Sequence, residues 1–189
     1  MELRQAAMPY LEELGRVVDQ NVSLGILDGT EIIYVERIRR RHIVNIHGVG
    51  SRVNACRTSI GCAILAFLSE TETRNILAKI LEEPEAREFC GPDGKQLLTI
   101  LEEVREKGYA VNNEQYIPGM RGIAAPVLDA KGVAEGAINV SVFSHEVSLE
   151  QLTEQYVPIL LEVAHKVSSV RGYGGPRTHG ENHPGRAPE

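Results

Sequence analysis

Asp28-Gly29 stands between two apolar runs, Val22 to Leu27 and Glu31 to Ile38, and constrains the fold more than any other feature of the chain. An Asp-Gly pair with positive φ at both turn residues is the signature of a two-residue hairpin, so an antiparallel strand pair is fixed near the N-terminus. His42 to His47 alternates around Ile43, Val44 and Ile46 and predicts a third strand, ended by Gly48 and Gly50. Three more strands are expected later: Tyr109 to Val111, Gly122 to Leu128, and Val133 to Phe143 after the turn Asp129-Ala130-Lys131-Gly132.

Helical patterns flank and divide these strands. Leu11, Leu14, Val17 and Val18 place one buried face on a helix from about Ala6 to Gln20, with Pro9 tolerable only near its start or at a kink. Ser69-Glu70-Thr71-Glu72 is a capping box opening a helix to about Leu81, and Pro84 with Gly91-Pro92-Asp93-Gly94 breaks the chain. Lys95 to Lys107 is amphipathic on Leu97, Leu98, Leu101 and Val104, with Gly108 as its C-terminal cap. Ser148 and Gln151 cap a last helix, interrupted at Pro158, that reaches about Val170. The order helix, strands, helices, strands, helix predicts an α+β domain: a single antiparallel sheet with helices packed on it. Residues 1–171 form this domain, with 1–20 as linker and N-terminal helix. Gly172 to Glu189, rich in Gly, Pro, His and charge, is expected to be a disordered tail in which His179 and His183 are solvated and hold no metal.

Composition narrows the function. A length of 189 residues suits one domain, and 42% hydrophobic with 24% charged residues is the balance of a soluble globular chain. A formal charge of −6 argues against nucleic-acid binding by the chain as a whole, which needs a cationic face. Arg37, Arg39, Arg40 and Arg41 form the one cationic cluster, read as a solvated strand end or turn, the alternative being contact with an anionic partner. Glu2, Arg4, Glu12, Glu13 and Arg16 interrupt the opening residues, so neither a signal peptide nor a membrane-length run is present there. Three cysteines without export signals point to a reducing cytoplasm.

The stretch from Cys56 to Phe67 carries the first functional signal. Thr58 or Ser59 can cap a helix with body Ile60 to Leu68, so its first N–H groups, at Ser59, Ile60 and Gly61, can receive an anion; an ordinary cap on a buried helix is the alternative. On the last strand Ile138, Val140 and Val142 face one side, a core face. Ala137, Asn139 and Ser141 face the other, which suits a cavity wall or solvent. The loop Asn112 to Gly122 offers Asn112 and Met120 as one polar and one apolar contact. Catalytic patterns are missing: Cys56 and Cys62 do not form a CxxC pair, and no GxSxG, HExxH or Walker A loop occurs. A Cys56 nucleophile paired with His47, in a hydrolase or transferase, stays open as an alternative. So does an oligomerisation module without a ligand.

In this order and spacing the motifs resemble the C-terminal effector-binding domain of the IclR family of bacterial transcription regulators. The matching pieces are Leu27-Asp28-Gly29, Val49-Gly50-Ser51-Arg52 leading into Thr58-Ser59-Ile60-Gly61, and Val104 to Ala110. Gly119 to Val127 and Ala137-Ile138-Asn139-Val140-Ser141-Val142 complete the set. The subgroup most similar is that of aromatic-acid catabolism, the protocatechuate and 4-hydroxybenzoate type. The resemblance implies a GAF-like sensor fold and a cytoplasmic homodimer or tetramer with no cofactor and no catalytic residue. Its effector would be a small carboxylate, held by Thr58, Ser59, Ile60, Gly61, Asn112, Met120, Gly122, Asn139 and Ser141. DNA would be met only through an N-terminal winged helix-turn-helix, which nothing in this sequence resembles. Cys62, Asn54, Asn112 and Gly122 depart from the family's usual basic residue, proline, acid, and cysteine or serine. Losing an acid at Asn112 makes the expected pocket less hostile to an anion.

Overall fold

The computed structural model describes residues 2–41 and 47–175. The expected hairpin is present, with its turn moved by one residue. Strands β1 (Asn21–Asp28) and β2 (Glu31–Ile38) pair antiparallel, Asp28 opposite Glu31, so the connecting residues are Gly29 and Thr30. Gly29 takes φ +65° and Thr30 is not left-handed, the pattern of a II′ turn rather than one needing positive φ at both sites. The third described strand, β3 (Arg52–Asn54), pairs with β2; at three residues it is too short to show a period. The strand expected over His42 to His47 lies, apart from His47, outside the described residues.

β4 (Ala110–Asn113), β5 (Met120–Leu128) and β6 (Ala134–Phe143) complete a sheet in the order β3-β2-β1-β6-β5-β4, every neighbouring pair antiparallel. The fold is thus the α+β arrangement expected, with helices on both faces. On one face lie the N-terminal helix α1 (Leu3–Val18) and the C-terminal helix. There Leu11, Leu14, Val22, Leu24, Ile138, Val140 and Val142 are fully buried, each stabilising by about 1.5–3 kcal/mol on area grounds. On the other face a second core gathers Ile32, Ile60, Ile64, Leu77, Leu97 and Leu101 beneath four short helices. These are α2 (Ser59–Leu65), α3 (Glu70–Ile80), α4 (Pro84–Cys90) and α5 (Lys95–Lys107).

The helix ends follow local chemistry. Ser69 and Glu72 make both bonds of the capping box at α3. Gly108, at φ +80°, donates to the Val104 carbonyl at 2.8 Å and closes α5. α4 was not expected; Pro84 starts it, because a first-turn proline loses no hydrogen bond there. Pro9 lies inside α1 on its exposed side. A helical turn α6 (Leu149–Gln151) runs through a π-turn (Leu152–Tyr156) into α7 (Val157–Val170), and the wider turn accommodates Pro158, which has no N–H to give. Of the tail expected from Gly172 onward, the structure describes residues 172–175. The Tyr173 N–H donates to the Ser168 carbonyl at 2.9 Å and its ring meets His165 edge-on, while residues 176–189 lie outside the described residues.

Candidate functional site

A β-bulge builds the site. Leu24 pairs with Glu36 and Gly25 with Tyr34, so Val35 is an extra residue on β2. Strict alternation from Tyr34 would turn Glu36 to the helix-α2 side and Arg37 to the α1 side. The extra residue reverses this. Glu36 faces α1 and pairs with Arg4 at 2.7 Å, whereas Arg37 joins Tyr34 at a cavity between the sheet and α2. The sequence reading of Arg37 as part of a solvated turn is therefore corrected. For Arg40 and Arg41 exposure is right, with Asn21 Oδ1 accepting both of their backbone N–H groups at 2.8 and 3.1 Å.

The floor of the cavity is a polar patch written across the strands. Arg37, Ser23 and Asn139 are successive partners on β2, β1 and β6; Ser141, Gly122 and Asn112 are successive partners on β6, β5 and β4. Asn139 Nδ2 donates to Ser141 Oγ at 2.9 Å. Asn112 Nδ2 donates to the Arg57 carbonyl at 3.0 Å and its Oδ1 accepts from the Tyr116 backbone N–H at 3.3 Å, tying the β4–β5 loop to the start of α2. A Cβ at Gly122 would sit 3.3 Å from Ser59 Oγ and 3.4 Å from Asn139 Nδ2, so the absent side chain keeps the floor open.

Loops form the roof. The His47 ring lies between Tyr34 and Tyr116, with centroids 5.8 and 5.7 Å apart and planes within 14° of parallel, and His47 Nε2 lies 3.1 Å from the Tyr116 hydroxyl. Arg57 stacks under Tyr116 and over Phe89 and steadies the same loop. Ile117 and Met120 supply an apolar edge. Arg121 also reaches the cavity, but the Ser144 and Val147 carbonyls, Asn113 and Glu114 accept from its guanidinium. The cavity, partly open at its mouth, has a volume of about 70 Å³.

Charge in this space is one-sided, since no Asp or Glu lines it among the described residues. The Arg37 guanidinium gives one N–H to the His47 carbonyl, yet its buried Nε has no partner among the described residues. Asn139 Oδ1 is likewise buried and unpaired. Burial pushes the Tyr34 phenol up to about 12 and holds the Tyr116 phenol above its ordinary value, so both stay protonated donors. Burial first, and then the Arg37 charge, hold His47 below its ordinary 6.5 and keep the imidazole neutral near pH 7. A depressed folded pKa means that the unfolded chain binds more protons as pH falls below about 6.5. The melting temperature is therefore expected to decline on acidification from about pH 7 to 5.5, and less steeply in His47→Gln. Equal slopes in a pH series of thermal melts would detach His47 from this effect.

Of the nine residues singled out from sequence, Thr58, Ser59, Asn112, Met120, Gly122, Asn139 and Ser141 line the one cavity. Ile60 and Gly61 do not. Ile60 is 1% exposed and packed in the core beside Gly25, and the Gly61 N–H already donates to Thr58 Oγ1 at 3.0 Å. The backbone of the helix start is thus partly self-capped, which leaves the side chains of the floor and Arg37 to meet a ligand. Ser23, Tyr34, Arg37, His47, Tyr116, Ile117 and Arg121 were not anticipated. The loop pattern of Asn112 to Gly122 was the signal for Tyr116 and Ile117; for Arg37 the alternation of β2 pointed the wrong way.

The cysteine nucleophile finds no support. Cys56 is buried, and a hydrogen bond with Cys90 together with burial pushes its thiol pKa up, away from thiolate. His47 is engaged by Tyr116 instead. Among the described residues no three His, Cys, Asp or Glu side chains are placed to hold a metal, and no helix is long and apolar enough to cross a membrane.

A helix-clad antiparallel sheet enclosing a small polar cavity is the architecture of a ligand-sensing domain. The profile described as "Bacterial transcriptional regulator IclR C-terminal" matches residues 1–169, and the chain belongs to the IclR family of transcriptional regulators. It is 32% identical to the transcriptional regulator KdgR of Escherichia coli (strain K12) over 92% of its own length and 65% of that protein's. It is 31% identical to the Pca regulon regulatory protein of Pseudomonas putida over 82% and 54%. The crystal structure of the C-terminal domain of E. coli KdgR superposes with TM-score 0.75 at 32% identity, covering 92% of this chain and all of that one. The chain spans about half to two thirds of the full-length relatives. The family and these relatives are transcriptional regulators, not enzymes.

Proposed function

We propose that this domain senses a small carboxylate, held in the cavity by Arg37 and the polar floor, and passes the binding event to the DNA-binding state of the intact regulator. One observation carries the reading: a guanidinium whose buried Nε–H is unpaired, at a cavity with no carboxylate among the described residues, suits an anion. Ser59, Asn112, Asn139 and Ser141 supply the hydrogen bonds, and Thr58, Met120 and Gly122 shape the walls. As it stands the space suits an acid of about half a dozen non-hydrogen atoms. An aromatic acid of the protocatechuate or 4-hydroxybenzoate kind, toward which the subgroup resemblance points, enters with Tyr116 and its loop displaced and its ring against Met120. Similarity to a regulator named for the Pca regulon supports that member of the class; similarity to KdgR leaves the class wider.

The transmitted signal is a change in how subunits of a homodimer or tetramer pack, worth about 1–3 kcal/mol of coupling between effector and DNA. DNA contact belongs to an N-terminal winged helix-turn-helix of such a regulator. Calorimetry with protocatechuate, 4-hydroxybenzoate, pyruvate and lactate tests the proposal. At least one acid binding tighter than millimolar supports it, and none doing so overturns it.

A further inference from the structure

The same cavity specifies more than an anion. Two of its buried polar atoms are orphans of opposite kind: Arg37 Nε, a donor, and Asn139 Oδ1, an acceptor. They belong to residues in one row across the sheet, Arg37 beside Ser23 and Ser23 beside Asn139. An anionic oxygen satisfies the first and cannot satisfy the second, because both are acceptors. The protein offers Asn139 Oδ1 no donor among the described residues, while one of the two N–H groups on Nδ2 donates to Ser141 Oγ at 2.9 Å. Asn139 is 5% exposed, so bulk water does not repair the deficit. A ligand that fills the cavity without bringing a donor leaves that oxygen dry.

We propose that the effector is a hydroxycarboxylate, its carboxylate on Arg37 and its hydroxyl donating to Asn139 Oδ1. This rests on the carboxylate-sensing reading above and adds the second functional group. A space of about 70 Å³ keeps the two groups close together, as in a short-chain hydroxy acid. Discrimination of this sort exceeds what shape alone gives, since a site built to pair a hydroxyl penalises the analogue that lacks it. The amide fixes the sign of the preference. Turned over, Asn139 would present a donor and favour a keto acid over a hydroxy acid.

The test is calorimetry on the whole chain with matched short acids: lactate against propionate and pyruvate, and glycolate against acetate and glyoxylate. The hydroxy member of each set is expected to bind about 10- to 100-fold tighter than its partners. In Asn139→Leu, isosteric but unable to accept, that ratio is expected to collapse toward one, whatever happens to the affinities themselves. Should thermal melts show Asn139→Leu unfolded, Asn139→Ala takes its place. Equal affinities within the sets, a preference for pyruvate or glyoxylate, or an unchanged ratio in the variant would overturn the hydroxyl assignment and leave the carboxylate sensor standing. Absence of binding by every acid overturns both.

Discussion

Arg37→Gln is expected to weaken carboxylate binding by about 2–3 kcal/mol, roughly 30- to 150-fold in Kd, and to lower the melting temperature by only a few degrees. The binding loss follows from removing the cation whose buried Nε–H has no partner among the described residues, while the cavity's other guanidinium, Arg121, is held by Asn113, Glu114 and two carbonyls. Hydrogen bonds to ionised groups in such surroundings are worth about 1.5–3 kcal/mol each. The stability loss is smaller because the Arg37 side chain makes one hydrogen bond to the protein itself, to the His47 carbonyl, worth about 1 kcal/mol or about 2–4 °C in a chain of this size, beside a distant contact with the Tyr34 ring. Arg37→Lys keeps the charge but not the planar fork and should fall between the two. Calorimetry and a thermal melt on the three proteins check this. Wild-type affinity in Arg37→Gln would place the anion elsewhere.

Gly61→Ala is the corresponding prediction for the fold, and its effect is on stability alone. A Cβ there would lie 1.9 Å from the Ala55 carbonyl oxygen and 2.5 Å from its carbon. Both atoms are backbone, in the short 3-10 turn Ala55–Arg57 that leads into α2, so nothing flexible can yield. The turn or the helix must shift, and the expected cost is about 3 kcal/mol or more, a fall of about 6–12 °C in melting temperature. Gly122→Ala makes the contrast. Its Cβ meets side-chain atoms at 3.3 and 3.4 Å, so stability should change little while affinity falls, the methyl group standing on the cavity floor. Comparable melting temperatures for Gly61→Ala and wild type would contradict the packing described for this helix start.

Gly61 also shows how far the sequence could be read. Its place in Thr58-Ser59-Ile60-Gly61 put it at a helix start, and it lies in the first turn of α2 in ordinary helical conformation. Whether it served a ligand or a neighbouring turn depended on Ala55, whose approach no local pattern reveals. The elements legible in the sequence were those set by neighbours along the chain: the hairpin at Asp28-Gly29, the Ser69 and Ser148 caps, and the alternation of Ala137 to Val142. β3 and α4 escaped because three and seven residues are too few for a period.

The site was legible where it lies on regular strands and illegible where it depends on irregularity. Asn139, Ser141 and Gly122 face the cavity as alternation requires. Arg37 faces it because Val35 is extra in β2, and a bulge is a property of two strands in register, not of either sequence. Tyr34, His47 and Tyr116 come from a strand and two loops, residues far apart in the chain that meet only in the folded domain as a stack over the cavity mouth. The same bulge sends Glu36 to Arg4 on the opposite face. Without it the cavity would hold a carboxylate in place of a guanidinium and would repel the ligand it is proposed to hold.

A crystal structure of the protein with the tightest-binding acid of the calorimetric panel is the most direct measurement. The expected result is a carboxylate oxygen about 2.7–2.9 Å from Arg37 Nε, beneath the Tyr34–His47–Tyr116 stack. A ligand bound in another part of the molecule, or one seated in the cavity with Arg37 Nε still unpaired, would contradict it.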